Sequence, residues 1–320
     1  MNPLVILQTL LTLIMTFLRK PAAEEDEIDD ADIPAAPSAP SPALPLPADV
    51  PPSPVFRPEA LAPLVIDETG WAQGEKVVHI PSKRTQRQAD GKPVILLWHW
   101  TATKHGTAKT MVKATRELPK PGERSNSVHF WVESDGTIYQ SVSCLRGSWH
   151  AGGKSSAVFI KRDGRWLIDA TRKSNLSVNA LSIGVELVNV GEVRPVKRQP
   201  DGSWKEVKAI EDGAVFMGWP FGRRDKETGK VRLGPIVKPD EVQTATDRDR
   251  KVRWYHLYTP EQIEAAERLT RAVIDAYGLD RTACSWGHID VDPTRKADPG
   301  PLWYRTNLPL ILERVFGKRG

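Results

Sequence analysis

Seven histidines are spread along this chain of 320 residues: His79, His99, His105, His129, His150, His256 and His288. Imidazole titrates near neutral pH and is the commonest metal ligand, so each is a candidate until its surroundings are read. His99 closes the apolar run Val94-Ile-Leu-Leu-Trp-His99, a pattern typical of a strand covered on both faces. Open α/β sheets place their sites at the C-terminal ends of such strands. His288 opens a second concentration of chemistry, Gly287-His288-Ile-Asp290-Val-Asp-Pro293-Thr-Arg295-Lys296-Ala-Asp298-Pro-Gly300-Pro301. It puts an imidazole, an ammonium and a carboxylate on a loop stiffened by Pro and Gly, where reactive groups tend to sit. On composition alone the same loop also reads as a solvated charged turn. A carboxylate stands out on a third segment, the apolar strand Leu181–Val190. Alternation there puts Ser182, Gly184 and Glu186 on one face. A lone acid among small residues points to a cavity, because a buried unpaired carboxylate is costly.

The elements that must position these groups alternate between strand and helix from about Leu64 to Phe316. Thr107 to Leu118 predicts a helix. Val128–Glu133 and Thr137–Val142 flank Ser134-Asp-Gly136, a strong hairpin signal. Thr259-Pro-Glu-Gln262 starts a helix with an N-cap threonine and a first-turn proline. Ile263, Ala266, Leu269, Val273 and Tyr277 continue one face of it, and Gly278 closes it. A last helix is expected from about Arg305 to Val315. This order predicts an α/β domain over residues 64–318. Residues 190–258 read as a polar insertion carrying a hairpin or two, and no chemistry is assigned to them.

Five segments in this order carry a family resemblance. Trp98-His99-Trp-Thr101-Ala102 resembles the first motif of the zinc-dependent N-acetylmuramoyl-L-alanine amidases. That family includes bacterial cell-wall amidases and phage amidase-type lysozymes, and is related to the peptidoglycan recognition proteins. Ser127-Val-His129 through Asp135-Gly136-Thr137-Ile-Tyr-Gln140 is similar to its central hairpin. Trp149-His150-Ala151-Gly152, Ser182-Ile-Gly184-Val-Glu186 and Gly287-His288 through Pro301 are similar to its later motifs. The resemblance spans roughly Ile95 to Pro301 and leaves out the N-terminal arm and the insertion.

The resemblance implies a single domain with a central mixed β-sheet flanked by helices. It implies a zinc ion held by His99, His288 and Asp298. Three N/O ligands leave a catalytic zinc its open position, and such a zinc acidifies water and polarises a carbonyl. The resemblance further implies Glu186 as general base and Lys296 as the cation facing the oxyanion. His150 and Thr101 become candidate substrate contacts. Some relatives carry Cys at the position of Asp298, and phage enzymes often carry a catalytic Tyr at the position of Val128. The valine here shifts the base role onto Glu186. His129 is expected to pack within the sheet. The implied reaction is cleavage of the amide between N-acetylmuramic acid and L-alanine in peptidoglycan. A non-catalytic peptidoglycan-binding module is the alternative, although such relatives tend to lose a ligand.

Composition limits the remaining choices. Forty per cent hydrophobic and 27% charged residues suit a globular core, and exclude a collagen-like, coiled-coil or multi-span membrane chain. Two cysteines are too few for a disulfide framework or a four-thiolate zinc site, while a single Cys144–Cys284 bridge stays open. The net charge of +5 is unevenly spread, because residues 1–33 hold seven acids against two bases. A basic body favours an anionic partner, and with no nucleic-acid motif present the anionic cell wall is preferred over nucleic acid.

Residues 1–20 read as an apolar membrane anchor or uncleaved signal. The run Leu4–Leu18 reaches only ~22 Å as a helix, short of the ~30 Å hydrocarbon layer, and counting from Met1 brings it near the lower limit of a span. Residues 21–63 are acidic and then rich in Pro and Ala, which reads as a disordered linker. Arg19 and Lys20 favour a cytoplasmic side for the chain beyond them, whereas a wall substrate demands access to the envelope or periplasm. Export through residues 1–18, or a cytoplasmic phage-type endolysin, resolves that conflict.

Overall fold

The computed structural model describes residues 62–87, 92–120, 126–152, 158–162, 165–169, 178–215, 234–293 and 296–317. All of them fall in one of the two units into which the chain divides, Leu46–Gly320. The apolar segment and the linker as far as residue 61 lie outside the described residues. Among the described residues no helix is long and apolar enough to cross a membrane.

Six strands make the central sheet: β1 (Val77–His79), β2 (Ile95–Trp100), β3 (Phe130–Val132), β4 (Ile138–Gln140), β5 (Ser182–Leu187) and β6 (Trp286–Gly287). Their spatial order is β6-β2-β5-β3-β4-β1. β3 and β4 form the expected antiparallel hairpin, and every other neighbouring pair is parallel, so the sheet is mixed. At its turn Gly136 takes a left-handed φ of 80°, and the Asp135 carboxylate accepts the Thr137 N–H at 2.9 Å.

Alternation along β2 and β5 assigns the two faces of the sheet. Leu96, Trp98, Ile183, Val185 and Leu187 join a large apolar cluster with Leu269 and Val273 of helix α2 (Pro260–Tyr277) and Ile311 and Leu312 of helix α3 (Leu308–Phe316). Full burial of each such side chain stabilises the fold by about 1.5–3 kcal/mol relative to exposure. Ile95 and Leu97 face the other way, against Ala151, Val178 and Val291. Helix α1 (Ala108–Ala114) covers the neighbouring part of that face through Ala108 and Val112. His99 and Glu186 follow Leu97 and Gly184 on this second face.

Helix ends agree with their local chemistry. The Thr259 hydroxyl accepts the Gln262 N–H at 3.1 Å, capping α2, and Gly278 ends it at φ 67°. Helix α1 stops short of the predicted Leu118. At its end the Thr115 hydroxyl donates back to the Val112 carbonyl at 3.0 Å, an interaction that competes with continued helix. At its start the Glu133 carboxylate accepts N–H groups of Gly106 and Ala108 at 2.9 and 3.0 Å. Helix α3 begins at Leu308, later than predicted, because Trp303–Asn307 is wound as a wider π turn.

The insertion is more than a hairpin or two. Its described residues build an antiparallel sheet in the order Ile236–Val237, Gly213–Val215, Glu192–Arg198, Val252–His256, Val242–Thr246, with Trp204–Glu206 also paired to Glu192–Arg198. Glu192 pairs with Tyr255 across more than sixty residues. A further hairpin, Val158–Arg162 with Arg165–Asp169, follows the Trp-His-Ala-Gly segment. Cys144 and Cys284 are buried free thiols rather than a bridge. Burial pushes both thiols up, Cys284 to about 12.

Candidate metal centre and active site

Register brings the first two groups together. β2 and β5 are parallel neighbours, and His99 lies opposite Glu186. On the other side of β2, strand β6 delivers the loop that holds the remaining groups. The Asp290 carboxylate accepts the Gly287 N–H at 2.8 Å. Ile289 N–H donates to the Asp298 carbonyl at 2.9 Å, and Lys296 N–H to the Asp292 carbonyl at 2.9 Å. These bonds fold the loop back, so that His288 and Asp298, ten residues apart, both meet His99.

Three donor atoms converge there. His99 Nδ1 lies 2.9 Å from His288 Nδ1 and 3.2 Å from Asp298 Oδ2, and His288 Nδ1 lies 3.1 Å from Asp298 Oδ2. All three side chains are buried. A tetrahedral zinc at ~2.0–2.1 Å from each donor would separate them by roughly 3.3–3.4 Å, so the triangle is nearly the size of one face of that tetrahedron. The donor chemistry, two imidazoles and a carboxylate, fits the same ion.

Electrostatics prepare the set. Burial raises the Asp298 carboxyl, but the close contacts of its Oδ2 with the His288 and His99 imidazoles outweigh it and hold the group well below the usual carboxylate range. Burial, and then the neighbouring His288, push His99 down to about 4, which leaves the neutral imidazole that ligation needs.

The family model of the N-acetylmuramoyl-L-alanine amidases matches residues 89–301, two thirds of the chain. The chain belongs to this family. Among solved structures, a selenomethionine AmpD derivative is 19% identical, covering 76% of this chain and 97% of its own, with a TM-score of 0.41. The N-acetylmuramoyl-L-alanine amidase LysC of Clostridium intestinale URNW is 14% identical, covering 76% and 98%, with a TM-score of 0.37. AmpDH3 of Pseudomonas aeruginosa, crystallised with anhydromuramic pentapeptide, is 19% identical over 72% of this chain and 66% of its own, with a TM-score of 0.36. A curated Rhodococcus opacus UDP-N-acetylglucosamine–N-acetylmuramyl-(pentapeptide) pyrophosphoryl-undecaprenol N-acetylglucosamine transferase is 28% identical over 148 residues. That match covers 46% of this chain and only 36% of the transferase.

In this amidase-family chain Glu186 is half-buried beside the three donors. Its Oε2 is enclosed and has no hydrogen-bond partner. Burial, then the charge of Asp298, raise its carboxyl well above the usual value, and the Lys296 ammonium partly offsets this. The charge of Lys296 is felt at His99 as well. Glu186 opens onto a cleft lined by Thr115, Asn126, Ser127, Val128, Trp131, Trp149 and His150. The Thr101 hydroxyl meets Thr103 Oγ1 at 2.7 Å and accepts the Asn189 N–H at 3.3 Å, tying the loop after β2 to the end of β5.

The other histidines separate clearly. His129 is fully enclosed: its Nε2–H donates to the Arg146 carbonyl at 2.8 Å and its Nδ1 accepts the Gly184 N–H at 3.0 Å. His79 bonds the Ala72 carbonyl, and His105 packs at a tilt against His256 with ring centres 4.4 Å apart. His150 contacts His99 directly, with Nδ1 2.9 Å from His99 Nε2 and Nε2 3.1 Å from the Ser182 hydroxyl. Sequence reasoning assigned no role to Ser182, Gly184 or Asp290. Asp290 also accepts from the Tyr304 hydroxyl and from Arg248 of the insertion, both at 2.6 Å. The shared face of Ser182, Gly184 and Glu186 was the available signal for the first two. No local signal joins Arg248 to a residue 42 positions away.

Proposed function

We propose that this chain is a zinc-dependent amidase that hydrolyses the bond between N-acetylmuramic acid and the L-alanine of the peptidoglycan stem. The observation that carries the reading is the triangle of His99 Nδ1, His288 Nδ1 and Asp298 Oδ2 beside the Glu186 carboxylate, whose enclosed Oε2 has no hydrogen-bond partner. A zinc ion bound by those three residues supplies Lewis acidity, making water easier to deprotonate and a carbonyl easier to attack. Glu186, raised by its enclosure, takes the proton of the attacking water and returns it to the leaving amine nitrogen. Lys296 faces the oxygen that gains negative charge, a contribution of about 3–4 kcal/mol for one well-placed donor. The cleft beside Glu186 receives the substrate, with His150 in its wall. Access to the wall is provided if residues 1–18 act as signal or outward anchor and residues 21–63 as tether. A periplasm-dependent reporter fused after residue 60 tests that arrangement: signal supports export, and silence supports release by lysis.

Cleavage of purified muropeptides at controlled zinc, by wild type and by Glu186→Ala, tests the activity. Release of L-alanine-terminated peptide by the wild type and its loss in the variant are expected. Undiminished cleavage by the variant would remove Glu186 from the mechanism, and inert wild-type protein would favour a binding module.

A further inference from the structure

We propose that His150 and Ser182 are positioning residues that fix the tautomer of His99, so that its Nδ1 lone pair faces the metal. This inference rests on the reading of His99 as a zinc ligand. Its starting point is a proton whose place is settled. Ser182 Oγ lies 2.6 Å from the Val178 carbonyl oxygen. Two oxygens that close need a hydrogen between them, and a carbonyl has none, so the serine donates it. Ser182 Oγ then has only lone pairs left for His150 Nε2, 3.1 Å away, and that nitrogen must carry the N–H. In a neutral ring His150 Nδ1 is therefore an acceptor. Its partner at 2.9 Å is His99 Nε2, which must be the protonated nitrogen of His99. The remaining nitrogen, Nδ1, is bare, and it is the one that meets His288 and Asp298.

The chain of donors thus runs His99 to His150 to Ser182 to Val178. The arrangement is the one by which metal-bound histidines are oriented, through the hydrogen bond of their second nitrogen. It acts on one ligand only: among the described residues, Nε2 of His288 is buried without a partner.

Two further features show that the relay is built into the fold. A Cβ on Gly184 would lie 2.5 Å from His150 Nδ1 and 2.6 Å from its Cγ, so the ring sits directly over this glycine. The His150 and Ala151 N–H groups both donate to the Asn179 side-chain oxygen, at 2.9 and 2.7 Å, which pins the segment bearing the ring. The face of β5 then has one task per position: Ser182 orients His150, Gly184 makes room for it, and Glu186 faces the cleft. Both nitrogens of His150 are engaged, which assigns the residue to His99 rather than to a substrate hydrogen bond.

The test uses the full-length chain, freed of metal, with 15N-labelled histidine. Long-range 1H–15N correlation spectra report each tautomer, and competition with a chromophoric chelator reports the zinc Kd. The spectrum of wild type should show His99 protonated at Nε2 and bare at Nδ1. His150→Phe, which removes both contacts, should populate both His99 tautomers and weaken zinc binding about 10–100-fold. His150→Gln keeps an acceptor and a donor and should restore the affinity to within a few-fold. Ser182→Ala, which leaves the ring in place, should give mixed tautomers at His150 and covers the case in which His150→Phe fails to fold. His99 protonated at Nδ1 in wild type, or a zinc Kd and tautomer unchanged in His150→Phe, would overturn the proposal. Neither readout involves substrate, so a chain that binds zinc in this manner yet cleaves nothing would defeat the amidase reading and leave the relay standing.

Discussion

His99 and Glu186 are paired residues on adjacent parallel strands. Paired residues in a parallel sheet project to the same face, with strands ~4.8 Å apart, so the backbone ladder itself sets the candidate metal ligand beside the proposed base. Glu186→Gln preserves the shape and removes the basicity. It should lower kcat by at least about 100-fold while leaving the zinc Kd within about twofold. Steady-state kinetics with a chelator titration check this, and a parallel loss of zinc would show that Glu186 is itself a ligand.

Gly184 is one place where the central sheet has no room for a side chain. Gly184→Ala puts a methyl against the His150 ring, which should cost about 1–3 kcal/mol of stability. It should also weaken zinc binding, because the ring that orients His99 must shift. Urea unfolding and zinc titration read the two effects separately. Unchanged values in both would mean that the ring is not held against the glycine.

A buried neutral histidine gives the fold an acid weakness. Burial pushes His129 down to about 4, only partly offset by its bond to the Arg146 carbonyl. The unfolded chain therefore takes up this proton first as pH falls, so its share of stability is intact above about pH 6.5 and is lost between 6.5 and 4. At ~1.4 kcal/mol per unit the loss approaches about 3 kcal/mol. His129→Gln should be less stable at pH 7.5 yet show a shallower fall across that window, by about one proton. Urea midpoints measured from pH 7.5 to 4.5 check it, and identical slopes would contradict it.

Asp290 braces the loop that carries His288 and Asp298 through Gly287, Tyr304 and Arg248. Asp290→Ala strands two of these donors and should cost about 2–4 kcal/mol as well as zinc affinity. Arg248 reaches from the insertion and is half exposed, so Arg248→Ala should change stability by no more than about 1 kcal/mol. Denaturant midpoints of the two variants compare them, and a larger effect for Arg248→Ala would make the insertion a structural partner of the loop.

Much of this layout is legible in the sequence because its causes are local. The run ending at His99 predicts a doubly covered strand, and Leu96 and Trp98 do pack on the helical face while Ile95 and Leu97 pack on the other. Thr259 and Gly278 bound α2 through bonds within one turn of the chain. The insertion defeats the same reading: its turns are visible, but the pairing of Glu192 with Tyr255 joins strands that only tertiary contact brings together. The role of Ser182 is hidden for the same reason, since its partner His150 arrives from another segment. The late start of α3 comes from the π turn at Trp303–Asn307, which no capping residue announces.

The central claim is tested most directly by zinc X-ray absorption on the full-length protein after metal-free preparation and addition of one equivalent. The account predicts one tightly held zinc per chain with only nitrogen and oxygen neighbours at ~2.0–2.1 Å, lost in Asp298→Ala. A sulfur shell at ~2.3 Å, or wild-type protein that retains no zinc, would contradict it.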